Sequence, residues 1–397
     1  MVEAGREAWI TGIGIVSCLG EGPEAHWQKL MEAKPSADTA MFAPFVVHPL
    51  APINFDAQIP KKGDQRQMEA WQRIGTYAAG LALDSAGVKG KTEILSHIDM
   101  IVAAGGGERD LSVDSTILSG MPKAADPAAF LNERLMSDLR PTLFLAQLSN
   151  LLAGNISIVH GVTGSSRTFM GEESSGVDAV RIALARIAAG QSDIALVGGA
   201  HNGERPDLLT LYEFGKFNLK DRYAPVWERG DKGGFALGSL GAFLVIEARE
   251  HAEKRGAKPL ARLTAVVSDR TKRQPGTVTA GLTRLWDKIK DKVKTAHAAV
   301  LSGATGAAPI TAEERNFLAT HDGLAVRATG SYLGHGPEPQ FPMNLALAAL
   351  TLSHGSLFPP CDSTGVERPM SAEVNQVLVT SVGHWRGEAL ALLERVG

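Results

Sequence analysis

The chain has 397 residues, of which 44% are hydrophobic and 21% charged, with 40 basic and 43 acidic side chains giving a net charge of -3. That balance, with no basic stripe, argues against a nucleic-acid surface. No segment approaches the ~20 uninterrupted apolar residues that a membrane span needs. Two cysteines, Cys18 and Cys361, lack CxxC spacing, and the N-terminus MVEAGREAW lacks the apolar run of an export signal. Both features point to a reducing, cytoplasmic setting.

In chain order, AWITGIGIVSCLG (8–20) reads as a buried strand and glycine turn, followed by a helix in GPEAHWQKLMEA. RQMEAWQRIGTYAAGLALDSAG is an amphipathic helix, MIVAAGGGERD a strand ending in glycines, and LFLAQLSNLLAGNISIVHG a helix leading to a turn. Residues 177–189 place Val177, Val180, Leu184 and Ile187 on one helical face before the strand SDIALVGGA (192–200). The stretch 233–256 begins with apolar strands and closes in a charged helix, and further strands are expected at 297–303, 324–328 and 376–381. Residues 269–297 are basic and then amphipathic, as for a helix with solvated lysines. Alternating strands and helices with apolar strands predict an α/β fold with buried sheets. AWITGIGIVS and ARLTAVVSD each open a strand-rich stretch, so two halves are expected, 1–250 and 251–397.

Common cofactor signatures are missing. TGIGIVSCLG lacks GxGxxG, and GxxxxGK[ST] does not occur, so neither a dinucleotide nor a P-loop site is expected. His321, His335, His354 and His384 have neither HExxH nor paired spacing, so no metal site and no cofactor are expected. Neither cysteine precedes a helix in the way that lowers a thiol pKa. What stands out is SSRTFMGEESSG (165–176), which feeds the helix VDAVRIALARIAAG. A turn entering a helix can present a nucleophile to the free N–H groups and dipole. Here it offers Glu172, Glu173, Ser174 and Ser175.

WITGIGIVSCLG, LSNLLAGNISIVHGVTGSS, GQSDIALVGGA, RATGSYLGHG and LFPPCDSTG resemble the β-ketoacyl-acyl-carrier-protein synthases, the condensing enzymes. WERGDKGGFALGSLGAFLVIEAREHAEKRGAKPLARL is the most specific stretch, and the resemblance runs nearly end to end. It implies a thiolase-like fold of two similar halves in a layered α-β-α-β-α arrangement. It also implies where the reaction centre lies. The family's catalytic cysteine, in a TACASG-like turn, falls at Glu173 of GEESSG. The histidine of its AHGTSTP-like loop falls at Ala304 of SGATGAAP. The STKSMTGH-like element appears as ATGSYLGH, with Gly330 for the lysine and His335 retained. The GFGGTN-like gating and oxyanion turn becomes GHWRGE, bearing His384, Trp385 and Arg386.

Condensation needs a thiolate to accept an acyl group and two imidazoles to polarise the malonyl thioester. A carboxylate at position 173 is a poor acyl acceptor and repels a malonyl carboxylate. Losing one oxyanion donor alone costs roughly 3–4 kcal/mol. The resemblance therefore implies a catalytically silent synthase-like subunit, similar in kind to chain-length factors, which usually carry glutamine where the cysteine would be. Such a subunit pairs with a cysteine-containing synthase and serves an acyl carrier protein in fatty acid, lipid or polyketide elongation. Leu143, in PTLFLAQ, then falls at a tunnel-facing or interface position, and Arg167 and Arg386 are candidate basic neighbours of Glu173. Two alternatives are a stand-alone condensing enzyme or malonyl-carrier-protein decarboxylase with an atypical site, and a carrier-protein or acyl-chain binder.

Overall fold

The computed structural model describes residues 5–397. Ten strands carry most of the architecture. They are β1 (Ala8–Ser17), β2 (Asp99–Ala103), β3 (Ser166–Phe169), β4 (Ile194–His201), β5 (Leu240–Ala248), β6 (Ala261–Asp269), β7 (Ala298–Ser302), β8 (Ala325–Ala328), β9 (Gln376–Val382) and β10 (Glu388–Glu394). They form one sheet in the order β8-β7-β9-β10-β6-β1-β5-β4-β2-β3, with the short strand Gly20–Glu21 pairing at the end of β1. Strands β1 and β6 meet antiparallel, Ala8 opposite Leu263 and Ile10 opposite Ala261. On either side of that seam the order repeats: the first strand of the half, then its fifth, fourth, second and third. The last three strands on each side run parallel to one another.

Among the described residues, helices α1 (Ala70–Ser85), α2 (Leu151–His160), α3 (Glu173–Ala188), α5 (Thr277–Asp287), α6 (Ile310–Ala319) and α7 (Gln340–His354) pack on this sheet, whereas α4 (Pro206–Phe214) joins a separate cluster with Val47, Phe235 and Leu237. Strand alternation explains the layering. In β2, Ile101 and Ala103 point into a core shared with α3 and α7, whereas Met100 and Val102 point into one shared with α1 and α2. In the other half, Ala299 and Leu301 of β7 enter the α3/α7 core, and Val300 joins Leu282, Leu285 and Phe317 of α5 and α6. Both faces of β2 and β7 are therefore buried, which is why these strands read as continuous apolar runs. The layers are α1/α2, half-sheet, α3/α7, half-sheet, α5/α6.

Helices α3 and α7 are sandwiched in the middle, and small residues let them approach. At Gly176 a β-carbon would lie 2.4 Å from the Glu338 carbonyl oxygen, just before α7. Only glycine permits that contact. One sequence expectation needs correction. LFLAQLSNLLAGNISIVHG is not one helix but a single turn at Leu143–Ala146 followed by α2. The intervening segment packs onto the glycine turn after β2, where Ser149 Oγ donates to the Gly105 carbonyl at 2.8 Å. Among the described residues, no helix is long and apolar enough to cross a membrane.

Candidate functional site

The turn Gly171–Glu172 launches α3 from the end of β3. Glu172 sits at the N-cap with φ 56° and ψ -137°, a backbone conformation that a non-glycine residue adopts only where its surroundings enforce it. The turn is tied down locally: Ser174 Oγ donates to the Gly171 carbonyl at 2.7 Å, and Ser175 Oγ to the Glu172 carbonyl at 2.6 Å. Glu173 then occupies the first turn of the helix, where the dipole favours a carboxylate, and its side chain is only 3% exposed.

Two imidazoles converge on one oxygen of that carboxylate. His335 Nε2 and His384 Nδ1 each lie 2.8 Å from Glu173 Oε1, and the His384 backbone N–H donates to the same atom at 3.2 Å. All three side chains are buried. Their ligand-capable atoms lie within 4.8 Å of one another, so these are residues that could hold a metal ion. Glu173 Oε2, also buried, has no hydrogen-bond partner.

The fold fixes each imidazole independently. His335 belongs to the loop after the short helix Gly330–Leu333; its N–H donates to Ala236 at 2.7 Å, and its carbonyl accepts from Gly238 at 3.0 Å. His384 lies in the turn between β9 and β10. Gly383 N–H donates to the Gly387 carbonyl at 2.9 Å, and Arg273 Nη2 donates to the Gly383 carbonyl at 2.6 Å. Arg273 also pairs with the buried Glu388, which locks the turn to the start of β10. Aromatic rings close the space: the His384 ring lies 5.0 Å from Phe217, 5.4 Å from Tyr212 and 5.5 Å from Phe235.

These contacts set the charges. Burial opposes ionisation of Glu173, but the charge of His384 and the hydrogen bonds from both imidazoles win and hold its carboxyl well below the usual range. Burial likewise opposes protonation of His384, yet the Glu173 carboxylate raises its pKa overall. His335 goes the other way: burial dominates and lowers it. Glu172 is pushed up, first by burial, with His384 acting against that shift. The arrangement is an anionic carboxylate clamped by imidazoles.

The other anticipated positions fall as follows. Ala304 is buried, and its carbonyl would lie 3.1 Å from a β-carbon at Gly330, so the two loops are adjacent but bring no titratable side chain. Leu143 is buried in its helical turn, next to Phe144, which is 69% exposed. Trp385 is exposed and Arg386 lies beyond the imidazoles, close to Gly171 and acting on Glu172. Arg167 donates to Ser165 Oγ. Neither arginine is the partner of Glu173; the two histidines are, because they descend on the helix start from opposite loops. Cys18 and Cys361 stand elsewhere, and burial pushes both thiols up to about 12. Arg273 escaped the sequence reading because a basic residue in a basic segment carries no sign of the turn it anchors. So did His201, whose Nδ1 lies 2.9 Å from Glu338 Oε2 beside the site.

Residues 6–252 match the model of the beta-ketoacyl synthase, N-terminal domain, and the chain belongs to that family. It is 26% identical over 266 residues to a 3-oxoacyl-[acyl-carrier-protein] synthase 2 of Vibrio cholerae, covering 64% of this chain and 60% of that protein. A protein of the same name from Rhizobium meliloti is 27% identical over 274 residues, covering 64% of this chain and 62% of the relative. The matches thus span about three fifths of these relatives' length. Among solved structures, the ishigamide ketosynthase/chain length factor superposes with a TM-score of 0.81 at 20% identity, covering 99% of this chain and all of the other. A beta-ketoacyl synthase from Burkholderia phymatum gives 0.78 at 18%, with 99% and 100% covered. The fold is therefore the thiolase-like fold of these synthases, and the residue at the head of its central helix is a glutamate.

Proposed function

We propose that this chain is a synthase-fold subunit that performs no condensation itself and pairs with a cysteine-bearing β-ketoacyl synthase in fatty acid, lipid or polyketide elongation, working with an acyl carrier protein. Its two similar halves would divide near residue 250, and Leu143 would face the acyl tunnel or the subunit interface. The observation that carries the reading is the pairing at the helix start. Glu173 stands where the resemblance expects a thiol, and it engages both His335 and His384. A condensing or decarboxylating site needs imidazoles free to donate to a thioester oxygen.

Pairing is supported by the outer margin of the sheet. Strand β3 is its last strand, so one edge carries no neighbour among the described residues. Large apolar side chains crowd the same side: Ile158 on α2 is 72% exposed and Met170, next to β3, 63%. An uncovered edge flanked by apolar surface invites a second subunit.

Co-purification with a cysteine-bearing synthase encoded beside it tests the proposal: a stable heteromer is expected, and its absence with every such neighbour would end the idea. The site is tested by Glu173→Cys, offered labelled acyl-carrier protein and then malonyl-carrier protein. No condensation is expected, because Ala304 and Gly330 supply neither imidazole nor amine. Malonyl-carrier-protein decarboxylation by the wild-type chain, abolished in His335→Ala, would instead favour the enzyme reading.

A further inference from the structure

The geometry points to a zinc-type metal site formed by Glu173, His335 and His384; we propose that the chain binds one divalent cation of this class there. This goes beyond the pairing proposal and holds whether or not a partner subunit is found. Two imidazole nitrogens and a carboxylate oxygen are a donor set that zinc takes with three protein ligands, leaving one further position. Here the three atoms come from a helix start, a loop and a β-turn, and they already lie within 4.8 Å of one another. Each nitrogen is 2.8 Å from Oε1, somewhat closer than two ligands of one tetrahedral metal stand.

A second observation concerns the same carboxylate. Glu173 Oε2 is fully enclosed and has no hydrogen-bond partner. Buried carboxylate oxygens are ordinarily satisfied, so an explanation built only on the imidazole hydrogen bonds leaves this atom unaccounted for. Metal coordination accounts for it, since a glutamate can turn either or both oxygens to the ion. The surroundings also fit. On the far side of the His384 ring, Nε2 lies 3.9 Å from Glu172 Oε1, placing a carboxylate behind a ligating histidine. His384 and Trp385 also line a cavity of about 460 Å³ with Phe217, Val278 and Pro309, so one of the three candidate ligands borders open space.

Binding is a proton-for-metal exchange. Nε2 of His335 and Nδ1 of His384 give up the protons they share with Glu173 and become lone-pair donors. Those protons move to the other ring nitrogen or to solvent.

The test uses the full, tag-free chain, stripped with a chelator and then freed of it. Zn²⁺ is titrated in competition with a chromophoric chelator, and circular dichroism monitors the fold. One equivalent per chain is expected for the wild type and for His297→Ala, a change at an exposed histidine. That equivalent should be lost in His335→Gln and in His384→Gln. Should those variants misfold, Co²⁺ bound to the wild-type chain provides a second readout. Intense visible bands of a four- or five-coordinate ion support the site, and the weak spectrum of a six-coordinate surface ion overturns it. No stoichiometric binding by the wild type, or binding that survives in folded His335→Gln and His384→Gln, likewise overturns it. Because the isolated chain is used, failure here is distinct from failure to pair with a synthase.

Discussion

Glu173 at the head of α3 and Glu314 within α6 are both sealed from water, yet their pKa values move in opposite directions. Glu314 Oε1 accepts from Ser302 Oγ at 2.7 Å and from Thr380 Oγ1. Those hydroxyls offset burial only in part, and its pKa is raised, toward the neutral acid. Glu173 meets the same desolvation, but its two donors are imidazoles at a helix N-terminus, and its pKa falls. What faces a buried carboxyl decides its charge. The two sites also differ in position. Glu314 ties a helix to two strands of one half, whereas Glu173 joins the first half of the chain to two loops of the second.

The contrast predicts that a buried carboxylate depends on its cation in proportion to how fully it is ionised. Glu247 in β5 is the extreme case. It is fully buried, and Arg255 Nε donates to its Oε2 at 2.8 Å while His251 and Thr11 complete its partners. Arg255→Ala should cost about 3 kcal/mol in urea denaturation, because it strands a buried charge. Burial opposes its ionisation, but Arg255, His251 and Thr11 bring its pKa down to about 2, below the ordinary 4.5. Because the folded value is depressed, the stability that Glu247 supplies is complete above pH 4.5 and drains as the pH falls through about 2. Urea curves at pH 5 and pH 3 should show a fall in wild-type stability that is smaller in Glu247→Gln. Equal falls would show that its ionisation is unlinked to folding.

How far could the site be read without coordinates? The buried strands and the glutamate at the head of α3 were legible, since buried strands leave apolar runs and GEESSG sits directly before a periodic helix. His335 and His384 were legible singly, as a retained histidine and a turn residue. Their meeting on one oxygen was not. Three segments distant in sequence must converge for that, and spacing rules detect only ligands that one element presents together. Arg273 was illegible for a different reason: its part is to hold the carbonyl of Gly383, and a main-chain acceptor leaves no mark in composition.

Glu173→Gln tests the other member of the pair directly. The amide keeps the size and one acceptor oxygen but removes the charge that raises His384. Stability should drop by about 1–3 kcal/mol, the range for losing charge-assisted hydrogen bonds in a buried site. The His384 pKa, followed by imidazole proton resonances, should fall at the same time. A destabilisation without any movement of His384 would mean that packing, not charge, explains the effect.

The smallest change is expected at Glu314→Gln, where the comparison is sharpest. If the carboxyl is already neutral in the folded chain, the amide replaces an acid with a group of the same shape and no charge. Its oxygen can still accept from Ser302 and Thr380, and its NH₂ takes the place of the unpartnered Oε2. The main cost is placing two amide hydrogens in an enclosed space, so the loss should stay below about 1 kcal/mol. The pH profile separates the cases further. A group whose folded pKa is raised gives up stability as the pH climbs past its unfolded value, because the unfolded chain ionises first. Relative to the wild type, Glu314→Gln should therefore gain ground between pH 4 and pH 7, whereas the deficit of Glu173→Gln should already be complete near pH 4.5 and shrink only as the pH falls below it. Parallel trends in the two variants would mean that imidazoles and hydroxyls leave these carboxyls in the same state, and the contrast between the two regions would collapse.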